Sequence, residues 1–212
     1  MRSGVSLALL VVAIVSVWML VRQPTTPVSI VRSASVDTRV RYPPGNYPVL
    51  TLPNGERREV RSLLDVRRKL SFGNYVWNDT GVPIGRVWIR VDLAAQTLSV
   101  FRAGHEIGST VILYGADGKP TPPGVYPVLE RAEQHRSNLY DAEMPYMLRL
   151  TRDGIAIHAS DVRASAATHG CVGVPLAFAR LLFAQVRRGD LVAIVGLAPA
   201  PTRHRRSEFS TE

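Results

Sequence analysis

The stretch that decides how this chain folds is Gly154-Ile-Ala-Ile-His-Ala-Ser-Asp-Val-Arg-Ala-Ser-Ala-Ala-Thr-His-Gly-Cys-Val-Gly-Val-Pro175. It holds the only cysteine of the 212 residues, Cys171, together with His158 and His169. The apolar residues 155–157 predict a short strand that ends beside His158, and the small residues after it let the chain turn back. We therefore expect Cys171 and His158 to lie close together.

These residue types point to nucleophilic chemistry. A thiol is a weak nucleophile until it is deprotonated, and a neighbouring imidazole or a helix N-terminus can lower its pKa from about 8.5 to well below neutrality. Residues 176–186, which follow Pro175, predict a helix, so we expect Cys171 just before a helix and with a lowered pKa. Backbone N–H groups of Gly170 and Cys171 could stabilise an oxyanion. The pattern predicts a cysteine site for acyl transfer.

Cys171 has two other interpretations. A lone cysteine is usually a small buried hydrophobe, although the His-Gly-Cys context favours a catalytic role. A zinc site formed by His158, His169 and Cys171 would leave the open fourth position of a catalytic metal. No Cys-x-x-Cys or His-x-x-x-His spacing supports it, so we expect no metal and no other cofactor.

His158 followed by Thr168-His169-Gly170-Cys171 resembles the signature of the L,D-transpeptidase catalytic domain of bacterial cell-wall enzymes, a histidine, a loop and Ser/Thr-His-Gly-Cys. The resemblance covers roughly residues 86–195, including 87–93, 96–101, 120–126 and 144–146. It implies a mainly β domain with minor α content, built as a mixed β-sheet or sandwich with a helix after the cysteine.

The resemblance also implies residue roles. Cys171 would be the acyl-accepting nucleophile and His158 the general base, with its imidazole oriented by the carbonyl of Ala159. His169 would be a second catalytic histidine that lines the site. Backbone support for the oxyanion and the loop is assigned to Gly170, Ala159 and Thr168. The predicted wall of the substrate cleft comprises Tyr126, Met144, Tyr146 and Gly173.

Three features depart from the family pattern, two residues and the length of a loop. Gly173 stands two places after the cysteine, where Arg or Asn is expected. The loop between His158 and Thr168 is shorter than usual, and Ala159 replaces the common Gly or Ser. The change at Gly173 removes a polar or charged anchor for the loop or for a substrate carboxylate, and it leaves the Cys-His pair intact.

An apolar run from Val5 to Val21, closed by Arg22, lies near the lower limit of about 17 residues for a membrane span. We expect an uncleaved transmembrane anchor at residues 1–22, with a cleaved signal peptide as the alternative. Arginines flank the run on both sides, so the positive-inside rule does not orient it. The substrate implied by the resemblance predicts a single-pass protein of the bacterial cytoplasmic membrane whose catalytic domain faces the periplasm and cell wall.

The remaining chain divides by composition. Residues 23–56 are rich in Pro, Ser, Thr and Arg and predict a spacer, and 57–85 predict a short amphipathic helix with a connector. Residues 86–197 form the predicted catalytic domain, with short strands at 88–91, 97–101, 105–113, 125–129, 147–150 and 191–195. Residues 198–212 are a basic tail, and 130–142 a mobile flap. His105 and His135 are interpreted as surface residues.

The net charge of +9 raises the question of nucleic acid as a partner. No helix-turn-helix, zinc-finger or aromatic RNA-binding motif accompanies the charge, so no nucleic-acid partner is expected. The basic face of the predicted helix is most simply a solvated surface, with adhesion to anionic lipid or wall polymer as the alternative.

The resemblance implies an L,D-transpeptidase that acts on peptidoglycan stem peptides through a Cys171 thioester. An amine acceptor would give 3-3 cross-links or attach a protein or amino acid to the wall. Water as acceptor would make the same site an L,D-carboxypeptidase or amide hydrolase. A wall-binding module that keeps the fold and has lost activity, with Gly173 as the reason, is the second hypothesis.

Overall fold

The computed structural model describes residues 39–67, 69–115, 118–137 and 141–196. Fourteen strands and one helix lie in this part of the chain. The strands are β1 (Arg39–Arg41), β2 (Val49–Thr51), β3 (Arg57–Glu59), β4 (Ser62–Leu64), β5 (Tyr75–Trp77), β6 (Val87–Asp92), β7 (Thr97–Arg102), β8 (His105–Val111), β9 (Gly124–Pro127), β10 (Glu130–Ala132), β11 (Met147–Arg149), β12 (Ala156–Ala159), β13 (Val172–Val174) and β14 (Leu191–Val195). The helix is α1 (Leu176–Gln185).

The larger sheet has eight strands. Seven run in the order β1-β4-β8-β7-β6-β14-β9, and β5 pairs with β8 beside this path. Its centre is the antiparallel run of β6, β7 and β8, and β14 returns from the end of the chain to pair in parallel with β6. The alternation of buried and half-exposed residues along β7 is the period of a strand with one face in the core.

The smaller sheet carries the residues of interest. It has four strands in the order β10-β11-β12-β13, of which β10, β11 and β12 are antiparallel neighbours. The last pair, β12 and β13, is parallel, so the chain crosses over between them through the loop of residues 160–171. The loop therefore returns to the start of β13 beside β12. A separate two-stranded ladder joins β2 and β3.

The helix joins the two sheets through one shared core. Phe178 and Leu182, one helical turn apart, are fully buried among side chains from β6 to β8 and from β12 to β14. The ring of Phe178 meets Trp77 edge to face with centroids 5.5 Å apart. Gly108 passes beneath these rings, and a Cβ there would lie 2.3 Å from Trp77. The absence of a side chain at Gly108 is what lets the helix and β5 pack on β8.

Most of the predicted elements are confirmed. The domain is mainly β with one helix, and the helix predicted at 176–186 is α1. The strands predicted at 88–91, 97–101, 105–113, 125–129, 147–150 and 191–195 correspond to β6, β7, β8, β9, β11 and β14. The strand predicted before His158 is β12, which includes the histidine.

The predicted fold class needs one correction, its transmembrane helix. Within the described ranges no helix has the length and apolar character to cross a bilayer, and α1 has only ten residues. The segment 1–22, to which the anchor was assigned, lies outside the described residues, as does the tail 198–212. The described residues form a mainly β domain with one helix.

The amphipathic helix predicted from residue 57 is also wrong. Val60, Ser62 and Leu64 are buried and the residues between them are not, which is the period of a strand. Val60 and Leu64 also fit a helical spacing, and the pairing of β4 with both β1 and β8 decides between the two. Because β1 lies within the predicted spacer, residues 39–41 of that segment belong to the main sheet.

Candidate active site

The site is built on the parallel pair β12 and β13. His158 on β12 is the register partner of Gly173 on β13. Cys171 lies two residues before Gly173, directly ahead of the first residue of β13. Both side chains line one cleft.

The imidazole of His158 is oriented by its own strand. Nδ1 lies 2.8 Å from the carbonyl oxygen of Ala159, which can only accept, so Nδ1 carries the proton and donates. The other ring nitrogen, Nε2, is then unprotonated and available as a base. Burial lowers the pKa of His158 below its usual 6.5, the bond to Ala159 opposes this, and the nearby charge of His135 adds a smaller lowering. At neutral pH His158 is an uncharged base.

The thiol of Cys171 is half-buried. Sγ lies 3.7 Å from the carbonyl oxygen of Gly154, and the side chain packs against a small apolar cluster that includes Met144 and Met147. Burial raises the pKa of Cys171 above its usual value of 9.0, with the backbone of Ala156 acting in the opposite direction. The resting nucleophile is therefore a neutral thiol.

Two expectations about Cys171 are corrected by this geometry. Its pKa was expected to be lowered, whereas desolvation raises it because a thiolate loses hydration among apolar neighbours. The residue was also placed just before a helix. Strand β13 lies between Cys171 and α1 in the chain, so the helix does not begin directly after the nucleophile.

The loop before the cysteine is held by hydrogen bonds at both ends. The amide of Thr168 donates to the carbonyl of Tyr114 at 3.0 Å, and its hydroxyl donates to the carbonyl of Cys171 at 2.5 Å. Gly170 has φ +104°, and a Cβ there would lie 2.7 Å from Ile155. The positive φ is the main reason that glycine is favoured at this position, because Ile155 meets it only through the end of a flexible side chain.

A buried hydroxyl missed by the sequence interpretation supports this loop. Thr121 is 2% exposed; its Oγ1 donates to the carbonyl of Gly170 and accepts from the amide of Gly115, both at 2.9 Å. These bonds tie the residue before the nucleophile to the segment that follows β8. The Thr-Pro-Pro-Gly sequence had signalled only a turn.

The cleft has a volume of about 950 Å³, at the upper end of the range for small-molecule sites. Of the predicted site residues, it brings together Cys171, His158, His169, Gly170, Ala159, Thr168 and Met144. Its lining residues come from several elements of the chain between Lys119 and Cys171.

Three predicted cleft residues do not line it. The hydroxyl of Tyr126 donates to the carbonyls of Pro122 and Pro123 at 3.2 and 3.1 Å. The ring of Tyr146 packs edge to face on Phe183 with centroids 5.6 Å apart. Gly173 faces Ser160 and Leu113 inside the sheet. The two tyrosines thus serve packing and turn structure.

Several lining residues had no predicted role. They are Lys119, Pro120, Pro122, His135, Ser137, Ala142, Glu143, Met147, Arg149, Arg152, Asp153, Gly154, Ile155, Ala156, Ser160, Asp161 and Ala167. His135, interpreted as a surface residue, faces the same cleft as His158, because the amide of Met144 donates to its carbonyl at 2.7 Å and folds this segment back. Arg152 lies in the turn between the predicted strands 147–150 and 155–157. Because the second strand leads to His158, the sequence contained a signal that this turn borders the site.

Metal binding gains no support from the described residues. Among them, no group of three or more His, Cys, Asp or Glu side chains is arranged to hold a metal ion. The alternative of a zinc site at His158, His169 and Cys171 therefore has no geometric basis in this part of the chain.

The family that matches this chain and three solved structures similar to it are all L,D-transpeptidases. The family YkuD, described as an L,D-transpeptidase catalytic domain, matches residues 86–194. Comparison with curated protein sequences gave no match. Among solved structures, an L,D-transpeptidase (Yku) from Stackebrandtia nassauensis is 27% identical with a TM-score of 0.50, over 54% of this chain and 57% of that one.

Two further structures are similar. An Enterococcus faecium L,D-transpeptidase is 26% identical with a TM-score of 0.49, over 53% of this chain and 50% of that one. An L,D-transpeptidase from Mycobacterium tuberculosis is 23% identical with a TM-score of 0.48, over 51% of this chain and 57% of that one. The chain thus spans between half and three fifths of the length of these structures.

Proposed function

Because the chain belongs to the L,D-transpeptidase catalytic domain family, we propose that it is a cysteine acyltransferase that acts on peptidoglycan stem peptides. The observation that carries the proposal is that His158, on β12, and Cys171, directly before β13, line one cleft. A neutral base and a neutral thiol on one cleft wall are the two groups that acyl transfer needs.

In the first step Nε2 of His158 takes the proton of Cys171 as Sγ attacks a carbonyl carbon of the donor. The carbonyl is that of meso-diaminopimelate, the third residue of the stem. The bond to the terminal D-alanine breaks, and the imidazolium returns the proton to the leaving amine. The products are free D-alanine and a thioester on Cys171.

In the second step an acceptor amine attacks the thioester. Its nitrogen forms an amide bond, the C–S bond breaks, and His158 removes the amine proton while Cys171 regains one. An amine on another stem gives a cross-link, and an amine on a protein or amino acid attaches it to the wall. Water in place of the amine gives L,D-carboxypeptidase or amide hydrolase activity, so exclusion of water from the cleft selects the outcome.

The protonation states favour general-base catalysis over a preformed ion pair. Burial raises the pKa of Cys171 and lowers that of His158, and both shifts oppose the charged pair in the resting site. Proton transfer then occurs during attack, when the charge moves onto the substrate oxygen. The backbone N–H groups of Gly170 and Cys171 are the proposed donors to that oxygen.

An arginine of the cleft supports a substrate that carries a carboxylate. Three basic side chains line it, those of Lys119, Arg149 and Arg152. Arg149 is paired with Glu130 at 3.2 Å. Arg152 is exposed and has no ion pair among the described residues, so its guanidinium is available for a carboxylate.

The acidic residues of the cleft are in part neutralised. Glu143 is paired with Arg136 at 2.7 Å, and Asp161 lies 3.5 Å from Arg163. Neither arginine lines the cleft. Asp153 also lines the cleft, so its lysine and arginine residues equal its acidic residues at three each, and the case for a substrate carboxylate rests on Arg152.

The proposal also gives a location. Peptidoglycan lies outside the cytoplasmic membrane, so the catalytic domain would act on the periplasmic or wall side. Protease added to intact spheroplasts should cleave the domain. Protection of the domain in intact spheroplasts, with cleavage after lysis, would contradict this location.

The acylation experiment tests the function itself. The protein is incubated with a tetrapeptide muropeptide, and separately with a carbapenem, and its intact mass is measured. We expect one acyl adduct that is absent from the Cys171→Ala variant. An unmodified wild-type protein that still binds wall fragments would instead support the inactive binding module.

A further inference from the structure

The side chain of Ser160 fills the space between His158 and Gly173. Gly173 is the register partner of His158, and a Cβ at Gly173 would lie 2.8 Å from Oγ and 2.9 Å from Cβ of Ser160. Such distances are shorter than van der Waals contact. Gly173 has no positive φ, so glycine stands there for space and not for backbone conformation. The side chain of Ser160 occupies the volume where any side chain at position 173 would begin.

Backbone hydrogen bonds fix both partners in this contact. The amide of Ser160 donates to the carbonyl of Val174 at 2.8 Å. Gly173 and Leu113 exchange two hydrogen bonds of 2.9 Å each, and the Cβ of Leu113 would be 3.3 Å from a Cβ at Gly173. Neither strand can move aside without breaking these bonds. A side chain at residue 173 could therefore be accommodated only by displacing Ser160.

The serine also touches the imidazole. Ser160 Oγ lies 3.4 Å from Nδ1 of His158, on the ring edge whose hydrogen bond goes to Ala159 at 2.8 Å. The hydroxyl is too distant to be the main partner, and its effect is to bound the ring on that edge. When the ring becomes an imidazolium, the hydroxyl oxygen can turn a lone pair toward the charged edge.

We propose that Ser160 is a positioning residue for His158. Its side chain can lie against the imidazole because Gly173 has no side chain in that space. Ser160 keeps the Nδ1 edge on the carbonyl of Ala159 and leaves Nε2 to accept the thiol proton. The role acts through His158 and rests on the proposed function of the Cys-His pair. Ser160 and Gly173 then act together, because the glycine leaves the space that the serine fills beside His158. On this view Gly173, in place of the expected Arg or Asn, does not indicate that the active site has been lost.

The test begins with Ser160→Ala in the full chain. We expect the rate of acyl-adduct formation at saturating donor to fall about 10-fold, a part of the 10²–10⁴ that a general base contributes, with little change in the donor concentration giving half-maximal rate. We also expect the pKa of His158, followed by NMR of the ring, to fall. Ser71→Ala, at a serine bonded to Asn74 on the surface, is the matched control and should match wild type.

A second pair of variants separates positioning from folding. Gly173→Ala should displace Ser160 and lower both the melting temperature and the acylation rate. Adding Ser160→Gly removes the overlap, so the double variant should regain thermal stability and remain slow. Full recovery of the rate in the double variant, or an unchanged rate and ring pKa in Ser160→Ala, would overturn the role of Ser160.

These outcomes are distinguishable from failure of the proposed function. If wild-type protein forms no adduct, the acyl-transfer proposal fails, and the ring titration of His158 in Ser160→Ala still decides whether the hydroxyl supports the imidazole. If wild type acylates and the variants behave as wild type, only the role of Ser160 fails.

Discussion

The carbonyl oxygen of Gly154 lies 3.7 Å from Sγ of Cys171, at the turn that joins β11 to β12. This contact places the sulfur against the start of the strand that carries His158. The turn of residues 151–154 therefore borders the nucleophile, and substitutions there should reach the chemistry although they lie far from Cys171 in the chain.

Replacing His158 by Gln should reduce acylation while leaving the fold intact. Glutamine can keep a donor near the carbonyl of Ala159 and supplies no base, so the adduct-forming rate should fall about 10²- to 10⁴-fold. Intact-mass measurements on samples quenched at successive times give the ratio of the adduct-forming rates of wild type and His158→Gln. His105→Gln is the control, because His105 bonds to Ser62 and does not line the cleft. Equal rates in the His158 variant and wild type would exclude the base role.

The pH profile follows from the directions of the two pKa shifts. His158 has a lowered pKa, so its neutral form persists below pH 6.5, and the acid limb of the acylation rate should have its midpoint below that value. Cys171 has a raised pKa, so iodoacetamide alkylation of the free enzyme should rise with a midpoint above 9.0. A thiol that titrates near neutrality would show a preformed ion pair and contradict the neutral resting state.

The same shifts affect stability with known signs. The folded-state pKa of His158 lies below its unfolded value, so the contribution present above pH 6.5 is lost as pH falls through the folded pKa. The folded-state pKa of Cys171 lies above its unfolded value, so its contribution is lost as pH rises through the folded pKa. Denaturant melts of wild type and His158→Gln across pH 5 to 7 measure this. The free energy of unfolding should fall more steeply with decreasing pH in wild type than in the variant.

Thr121→Val should loosen the loop before the nucleophile. Valine keeps the shape and removes the hydroxyl that bonds Gly170 and Gly115, leaving buried backbone groups unpaired. We expect a loss of about 1–3 kcal/mol in the free energy of unfolding and slower acylation. Thr121→Ser retains the hydroxyl and should stay close to wild type in both. Chemical denaturation measures the first effect, and a variant as stable as wild type would contradict it.

Local signals were sufficient for much of the fold. Pro175 followed by an apolar run predicts a helix because Pro suits a helix start and the run has helical spacing, and α1 is there. The segments 88–91 and 97–101 alternate in the manner of a hairpin, and β6 and β7 pair in that way. The motif that ends at Cys171 placed the thiol and His158 on one cleft, since the short strand and loop constrain both locally.

Long-range pairing was beyond the sequence. Val60 and Leu64 fit both a helix and a strand, and only the neighbours β1 and β8 settle the choice. His135 reaches the cleft because its segment folds back toward Met144, a contact with no local signature. The raised pKa of Cys171 depends on burial against Met144 and Met147, which are distant in the chain. Burial and register are tertiary properties, so the site's residues were easier to predict than their charges.

Arg152→Ala should weaken substrate binding more than catalysis. Arg152 lies on the turn that borders Cys171, lines the cleft and has no ion pair in the described part of the chain, so a substrate carboxylate can pair with it. We expect KM for a stem tetrapeptide to rise about 5- to 30-fold, as a lost charge-assisted hydrogen bond of about 1–2 kcal/mol implies, with kcat changed far less. Arg152→Lys keeps the charge and should recover part of the binding.

Amidated substrates make this prediction specific. One peptide carries a carboxamide at the terminal D-alanine, and another carries it on the diaminopimelate side chain. The peptide that lacks the carboxylate bound by Arg152 should have the same KM with wild type and Arg152→Ala, and the other should retain the difference. Arg163→Ala, at an arginine outside the cleft lining, is the control. Equal effects of Arg152→Ala on all three peptides would mean that the arginine contributes only general positive charge.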